Sequence, residues 1–98
     1  MEIVENIQDR NREMLDRAEI ALVSAHQAIN RAASAGASDQ ELANARHLVR
    51  SAQLRWDYVA SNNGMGFHAP QEAARVLTSA VDLAHQATQE ADRVIAKK

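Results

Sequence analysis

The sequence contains no cysteine among its 98 residues. This absence excludes disulfides, thiolate metal sites, cysteine nucleophiles and haem attachment through Cys-x-x-Cys-His within the chain. Aromatic residues are also scarce, since only Trp56, Tyr58 and Phe67 occur. Twenty of the hydrophobic residues are alanines. Because alanine buries little area, we expect a thin core between closely approaching helices.

Neither sign of charge dominates, and long apolar runs are missing. Eleven basic and thirteen acidic residues give a net charge of −2, which is not the footprint of a nucleic-acid-binding or membrane-binding protein. No apolar run approaches the roughly 18 residues that a membrane-spanning helix needs. No charged-then-apolar leader is visible either. We therefore expect neither nucleic-acid binding nor membrane insertion.

Glycine and proline are so few that they mark the helix boundaries. Residues from about 2 to 35 contain neither and predict a long first helix, with Gly36 in the C′ position after it. A second helix is predicted over about 39–61. Ser38 precedes it and Glu41 follows three residues later, which is the spacing of a capping box.

A third helix is predicted over about 70–96, after a loop at 62–69. Pro70 falls in its first turn, where the missing N–H costs no hydrogen bond. Each predicted helix carries an apolar stripe with steps of three and four residues. The economical fold is all-α, an antiparallel three-helix bundle or long helical hairpin with a long N-terminal helix, in a single domain over 1–98.

The stripes predict the core. They comprise Ile7, Met14, Leu15, Ala18, Ala21, Leu22, Ala25, Ala28 and Ile29 in the first helix; Leu42, Ala45, Val49, Ala52, Trp56 and Val59 in the second; and Ala73, Leu77, Ala80, Ala84, Ala87, Ala91 and Val94 in the third.

Histidine is the residue type with the clearest chemical potential, and there are four. His26, His47 and His85 lie inside predicted helices without a histidine three or four residues away. The paired spacings of helical metal sites are therefore missing. We interpret these three as exposed or boundary side chains.

His68 differs because it precedes the first turn of the third helix. The positive end of that helix disfavours imidazolium, which leaves a neutral ring suited to a transition metal. The alternative is a hydrophobic staple, in which Phe67 or His68 packs on Ala73 or Ala74 and sets the entry angle of the helix. The residues alone leave both interpretations open.

Arg55, Trp56 and Asp57 form the second segment of interest. Trp56 falls on the apolar stripe, so core packing is its expected role. Arg55 and Asp57 flank it as a solvated pair or as contacts to a larger body. No Ser/His/Asp grouping, glycine-rich phosphate loop or cluster of metal ligands is visible in the sequence, so no catalytic residue is predicted.

The segment "AQLRWDYVASNNGMGFHAPQEAARVL" (residues 52–77) resembles the C-terminal part of the ammonia-forming, pentahaem cytochrome c nitrite reductases. In that family Ala-Gln-x-Arg-Trp-Asp ends one helix, and Phe-or-Met-His-(Ala or Asn)-Pro-x-Glu-Ala opens the last long helix. The likeness covers most of the chain and is strongest over about 42–83.

The resemblance implies that His68 is a distal axial ligand of a bis-histidine haem c. The parent enzyme would reduce nitrite to ammonium with six electrons. The Cys-x-x-Cys-His and Cys-x-x-Cys-Lys attachment motifs of the family are missing here. We therefore expect the segment alone to bind no haem and to be inactive.

The implied partners are the haem-bearing N-terminal portion of the same enzyme and a second copy, joined through the long helices in a periplasmic homodimer. A different hypothesis is a free-standing helical interaction or scaffold domain with no haem role. A third is weak binding of free haem or a divalent metal through His68. The third is disfavoured, because a single unsupported imidazole seldom builds a site.

Overall fold

The computed structural model describes residues 2–63 and 70–98, with side chains over 12–61 and 71–98. It contains three helices, α1 (Glu2–Ser34), α2 (Asp39–Asn63) and α3 (Pro70–Ala96). They form an elongated bundle of 54 × 17 × 16 Å, with no strand in the described ranges. The predicted all-α three-helix architecture is confirmed.

The turn between α1 and α2 is built around Gly36, as the sequence predicts. Gly36 has a φ of 102°, a left-handed conformation that glycine adopts without the Cβ penalty of other residues. Its N–H donates to the Ala33 carbonyl at 3.0 Å, and the N–H of Ala37 donates to the Ala32 carbonyl at 3.0 Å. These two bonds are a Schellman motif, which satisfies the last carbonyls of α1 and reverses the chain.

The capping box at the start of α2 is also confirmed. The Ser38 N–H donates to Glu41 Oε1 at 2.9 Å, and the Glu41 N–H donates to Ser38 Oγ at 3.1 Å. Lys98 extends this junction, because its Nζ donates to the same Glu41 oxygen at 2.9 Å. The carboxyl-terminal end of α3 is thereby joined to the first turn of α2.

Two groups of buried side chains hold the helices together. The larger one, the alanine cluster, consists of Ala21, Leu22, Ala25, Ala28, Ile29, Ala32, Leu42, Ala45, Val49, Ala52, Ala84, Ala87 and Ala91. The smaller one, the leucine cluster, consists of Leu15, Ala18, Val59, Ala73 and Leu77. The predicted stripes are therefore buried, although Met14, Trp56 and Val94 are only half-buried and Ile7 lies outside the described side chains.

The three helix pairs do not pack equally. α3 contacts both α1 and α2 extensively, whereas α1 and α2 contact each other over a smaller area. Large apolar side chains also remain exposed on the outer sides of these two helices, namely Ile20, Val23, Leu54 and Tyr58, which the stripes did not predict.

Candidate functional site

His68, the predicted haem ligand, lies outside the described residues, as does Phe67 of the alternative staple. The connection that carries them joins Asn63, the last residue of α2, to Pro70, the first of α3. The nearest described core belongs to the leucine cluster, which contains Val59 of α2 and Ala73 of α3. The role of His68 therefore stays a prediction from the sequence.

The other three histidines are exposed on the helices, in agreement with the sequence interpretation. They are not brought together, and the described part of the chain contains no group of three or more His, Asp or Glu side chains able to hold a metal ion. His85 and His26 nevertheless each line a surface groove, one on either side of α1.

The first groove lies between α1 and α3 and has a volume of about 340 Å³. Its apolar side chains include Met14 and Leu77, and Arg17, Asp82 and His85 supply charged or polar groups. Methionine and histidine are an axial ligand pair of c-type cytochromes. Met14, however, packs on the leucine cluster that contains Leu77. His85 lies eight residues after Leu77, about 12 Å further along α3.

The second groove lies between α1 and α2 and has a volume of about 400 Å³. Ile29 and Val49, both buried, form its floor, and His26, Arg46 and Arg50 stand on its rim. Sequence reasoning missed the two arginines. Their four-residue spacing on one helix places them on the same face, and that signal was available. Their proximity to His26, which lies on another helix, could not be read from the sequence.

The Arg55-Trp56-Asp57 segment has packing and local hydrogen-bonding roles. The Trp56 indole Nε1–H donates to the Leu15 carbonyl at 2.8 Å, and the ring packs against both clusters. Arg55 donates to the Ser51 carbonyl at 3.0 Å, and Asp57 accepts a bond from Gln53 at 3.1 Å. Trp56 thus fixes α2 against α1, while the bonds of Arg55 and Asp57 lie within α2. These contacts indicate a structural role for the segment.

The comparisons with known proteins identify the class as c-type cytochromes. A family model described as cytochrome c552 matches residues 1–98, and the chain therefore belongs to the cytochrome c552 family. Cytochrome c-552 of Bacteroides fragilis is 40% identical over 94% of this chain, and that of Parabacteroides distasonis 38% over 92%. Cytochrome c-552 of Porphyromonas gingivalis is 35% identical over 98%.

The chain is much shorter than these relatives. The matched regions make up 18%, 19% and 20% of the three cytochromes, so the chain spans about a fifth of their length. No solved structure matches it at comparable stringency. In the described ranges, no helix has both the length and the apolar character needed to cross a bilayer.

These matches correct two predictions. The assignment to a segment of an ammonia-forming nitrite reductase was wrong, because the family model and the relatives carry the name cytochrome c552. The alternative of a scaffold with no haem role is overturned by the same match to a haem protein family. The motif behind the resemblance misled because Trp56 and its neighbours encode helix packing, which does not define an activity. The broader expectation, membership of a cytochrome c family, is confirmed.

Haem c does not fit this chain as a covalently attached group. Thioether attachment needs cysteine, and the sequence has none. Within the described part, every buried side-chain nitrogen and oxygen atom has a hydrogen-bond partner, so the interior offers no unpaired ligand. The three described histidines are exposed, and none belongs to a group of three or more potential metal-binding side chains in the described residues.

Proposed function

We propose that this chain is a helical part of a cytochrome c552 that carries no covalent haem, and that the haem groups are attached to the part of the cytochrome outside these residues. The observation behind the proposal is the match of residues 1–98 to the family in a sequence without cysteine. The limited coverage of the relatives, about a fifth of their length, supports it. Electron transfer is then the task of the whole cytochrome.

In this proposal the bundle is a rigid body that packs against the haem-bearing part. Its own core holds the three helices, and apolar side chains that remain exposed on its outer sides would pack against the haem-bearing part. Leu54 is 64% exposed and Tyr58 50% exposed, and they lie four residues apart on α2. Side chains four residues apart share a helix face, so the two supply one apolar patch near the end of α2.

We further propose that His68 supplies a distal axial ligand to a haem of the adjoining part. The support is its sequence position between two helices anchored by Val59 and Ala73, together with the preference of a helix N-terminus for a neutral imidazole. His68 would coordinate without forming a covalent link to the porphyrin, so it needs no cysteine nearby.

The remaining proposals rest on the sequence expectations. They are a periplasmic location, several haems in the whole cytochrome, and a homodimer formed through the long helices. Ile20 and Val23, exposed on α1, are suitable for such a helix contact. Nucleic-acid binding and membrane insertion remain unexpected for a chain of net charge −2.

The first test asks whether the chain itself retains haem. We would express the 98 residues together with a c-type haem attachment system, denature the product and stain for covalent haem. The expected result is no stain, with Bacteroides fragilis cytochrome c-552 treated in parallel as the positive control. Haem that remains on the denatured chain would contradict the proposal.

The second test concerns His68. The matched region of the Bacteroides fragilis cytochrome would be replaced by this chain, and His68→Ala compared with His47→Ala, which removes an exposed histidine. We expect His68→Ala to change the absorption spectrum of one low-spin haem, while the amount of covalently attached haem stays constant. Equal spectra for the two variants would show that His68 is not a haem ligand.

A further inference from the structure

The groove between α1 and α2 combines an apolar floor with a rim of hydrogen-bond donors from both helices. The floor consists of Ile29 and Val49, and the basic side chains of the rim are His26, Arg46 and Arg50. The groove lies between α1 and α2, the pair of helices that packs least extensively.

The rim has an excess of positive charge. Of the residues that line the groove, none is acidic, and Asn30 and Gln53 are the remaining polar ones. Asp39, beyond the groove, accepts a bond from Arg46 at 2.9 Å, but its side chain is 99% exposed, so water screens this pair. Across the described residues, no hydrogen bond or ion pair engages Arg50.

We propose that this groove binds a small polycarboxylate anion. Two arginines spaced by four residues present planar forks of N–H donors, which match carboxylate oxygens in a bidentate manner. His26 and Asn30 offer donors from the opposite helix, so two carboxylates of one molecule would be bound from both sides. A volume of about 400 Å³ lies within the range of small-molecule sites.

The predicted affinity is modest. The groove is open to solvent, and charge-assisted hydrogen bonds at such positions contribute little after screening. Dissociation constants in the millimolar range are therefore expected. The proposal is independent of where haem is attached, since it concerns donors that belong to this chain alone.

The test is a titration of the 98-residue chain with citrate, followed by amide nitrogen–proton correlation spectra. We expect saturable shifts confined to residues around 26–30 and 46–53. Triethyl citrate, which carries the same skeleton without charge, should cause none. If citrate causes no saturable shift, or if the ester shifts the same residues, the proposal is wrong.

Two arginine variants form a matched pair. Arg50→Gln should weaken citrate binding about two- to fivefold, as expected for the loss of one solvent-screened charged contact. Arg75→Gln removes the same charge from an exposed position on α3 and should leave the affinity unchanged. Equal weakening in both variants would show that citrate responds only to net charge, and the proposed binding site would be wrong.

A third variant addresses the competing carboxylate. Asp39→Asn removes the group that accepts a bond from Arg46 and should tighten citrate binding a few-fold. Unchanged or weaker binding in this variant would overturn the part assigned to Arg46.

Discussion

The two clusters of the core achieve burial in different ways. The alanine cluster has many small side chains, and Ala84, Ala87 and Ala91 of α3 are completely buried in it. The leucine cluster has few members, but Leu77 and Val59 are among the largest fully buried side chains described. Nine of the thirteen members of the alanine cluster are alanines, so most of it depends on close approach of the helices, although Leu42 in it is also fully buried. The leucine cluster depends more on the volume of single side chains.

The comparison teaches that the buried alanines and the few large buried side chains should be sensitive to opposite changes. The alanine positions of the alanine cluster lose little by truncation and much from added volume, whereas Leu42 in the same cluster is fully buried and would lose as much as a leucine elsewhere in the core. A cluster with a few large side chains loses most when one of them is removed.

The largest effect is expected for Leu77→Ala in the leucine cluster. Leu77 is 1% exposed, and its truncation leaves a cavity that typically costs about 2–5 kcal/mol. Urea unfolding followed by circular dichroism would measure the change. Leu54→Ala on the surface of α2 is the control and should have little effect, because that leucine is 64% exposed. If both variants cost the same, the leucine cluster does not carry the stability assigned to it.

Next in size is Ala87→Leu in the alanine cluster. The added side chain has no space between closely packed helices, and overpacking usually costs about 1–3 kcal/mol. Ala33→Leu makes the same change at an exposed position of α1 and should fall within about 0.5 kcal/mol of the parent protein. A stable Ala87→Leu variant would show that the helices can separate without penalty, against the proposed difference between the clusters.

A smaller effect is expected for Trp56→Phe, which tests the residue shared by both clusters. Phenylalanine keeps most of the ring but cannot donate to the Leu15 carbonyl, a bond of 2.8 Å. The loss of one such hydrogen bond costs about 0.5–1.5 kcal/mol. Thermal unfolding would measure it. Slow exchange of the indole N–H with deuterium should confirm the bond in the parent protein, and rapid exchange would contradict it.

The smallest effect concerns Glu41, next to the alanine cluster. The hydrogen bond from Lys98, followed by the bond to the Ser38 backbone, holds the pKa of Glu41 below the ordinary value of 4.5. A lowered pKa in the folded state means that ionised Glu41 stabilises the fold above about pH 4.5, and that this contribution is lost as the pH falls through the lowered pKa. Carbon-13 titration of the Glu41 carboxyl should show the low midpoint, and Lys98→Met should raise it. An unchanged midpoint in Lys98→Met would contradict the assignment.

Much of the fold could be predicted from short-range patterns. The steps of three and four residues located the buried stripes, and Ser38 with Glu41 located the start of α2. Gly36 located the end of α1 because its left-handed conformation is a property of the residue type. These features depend on neighbours within about one helical turn, which a sequence displays directly.

The candidate site could not be predicted in the same way. The Trp56–Leu15 and Lys98–Glu41 bonds join residues 41 and 57 positions apart. The groove is formed by residues of two helices, and no local pattern encodes how those helices are arranged. His26 was correctly interpreted as exposed, yet its position opposite Arg50 follows only from the arrangement of the helices. The short motif around Trp56 correctly indicated a family of haem proteins, but it did not indicate the correct family.

The abundance of alanine in the core also bears on how the protein responds to temperature. Alanine loses almost no side-chain freedom on folding, so the entropy that opposes folding is smaller than for a core of leucines. It also exposes little apolar surface on unfolding, and that surface determines the heat capacity change. We therefore expect a heat capacity change below the roughly 1.2–1.5 kcal/mol/K usual for about 100 residues. The stability curve should accordingly be flat, with similar stability over a wide range of temperatures.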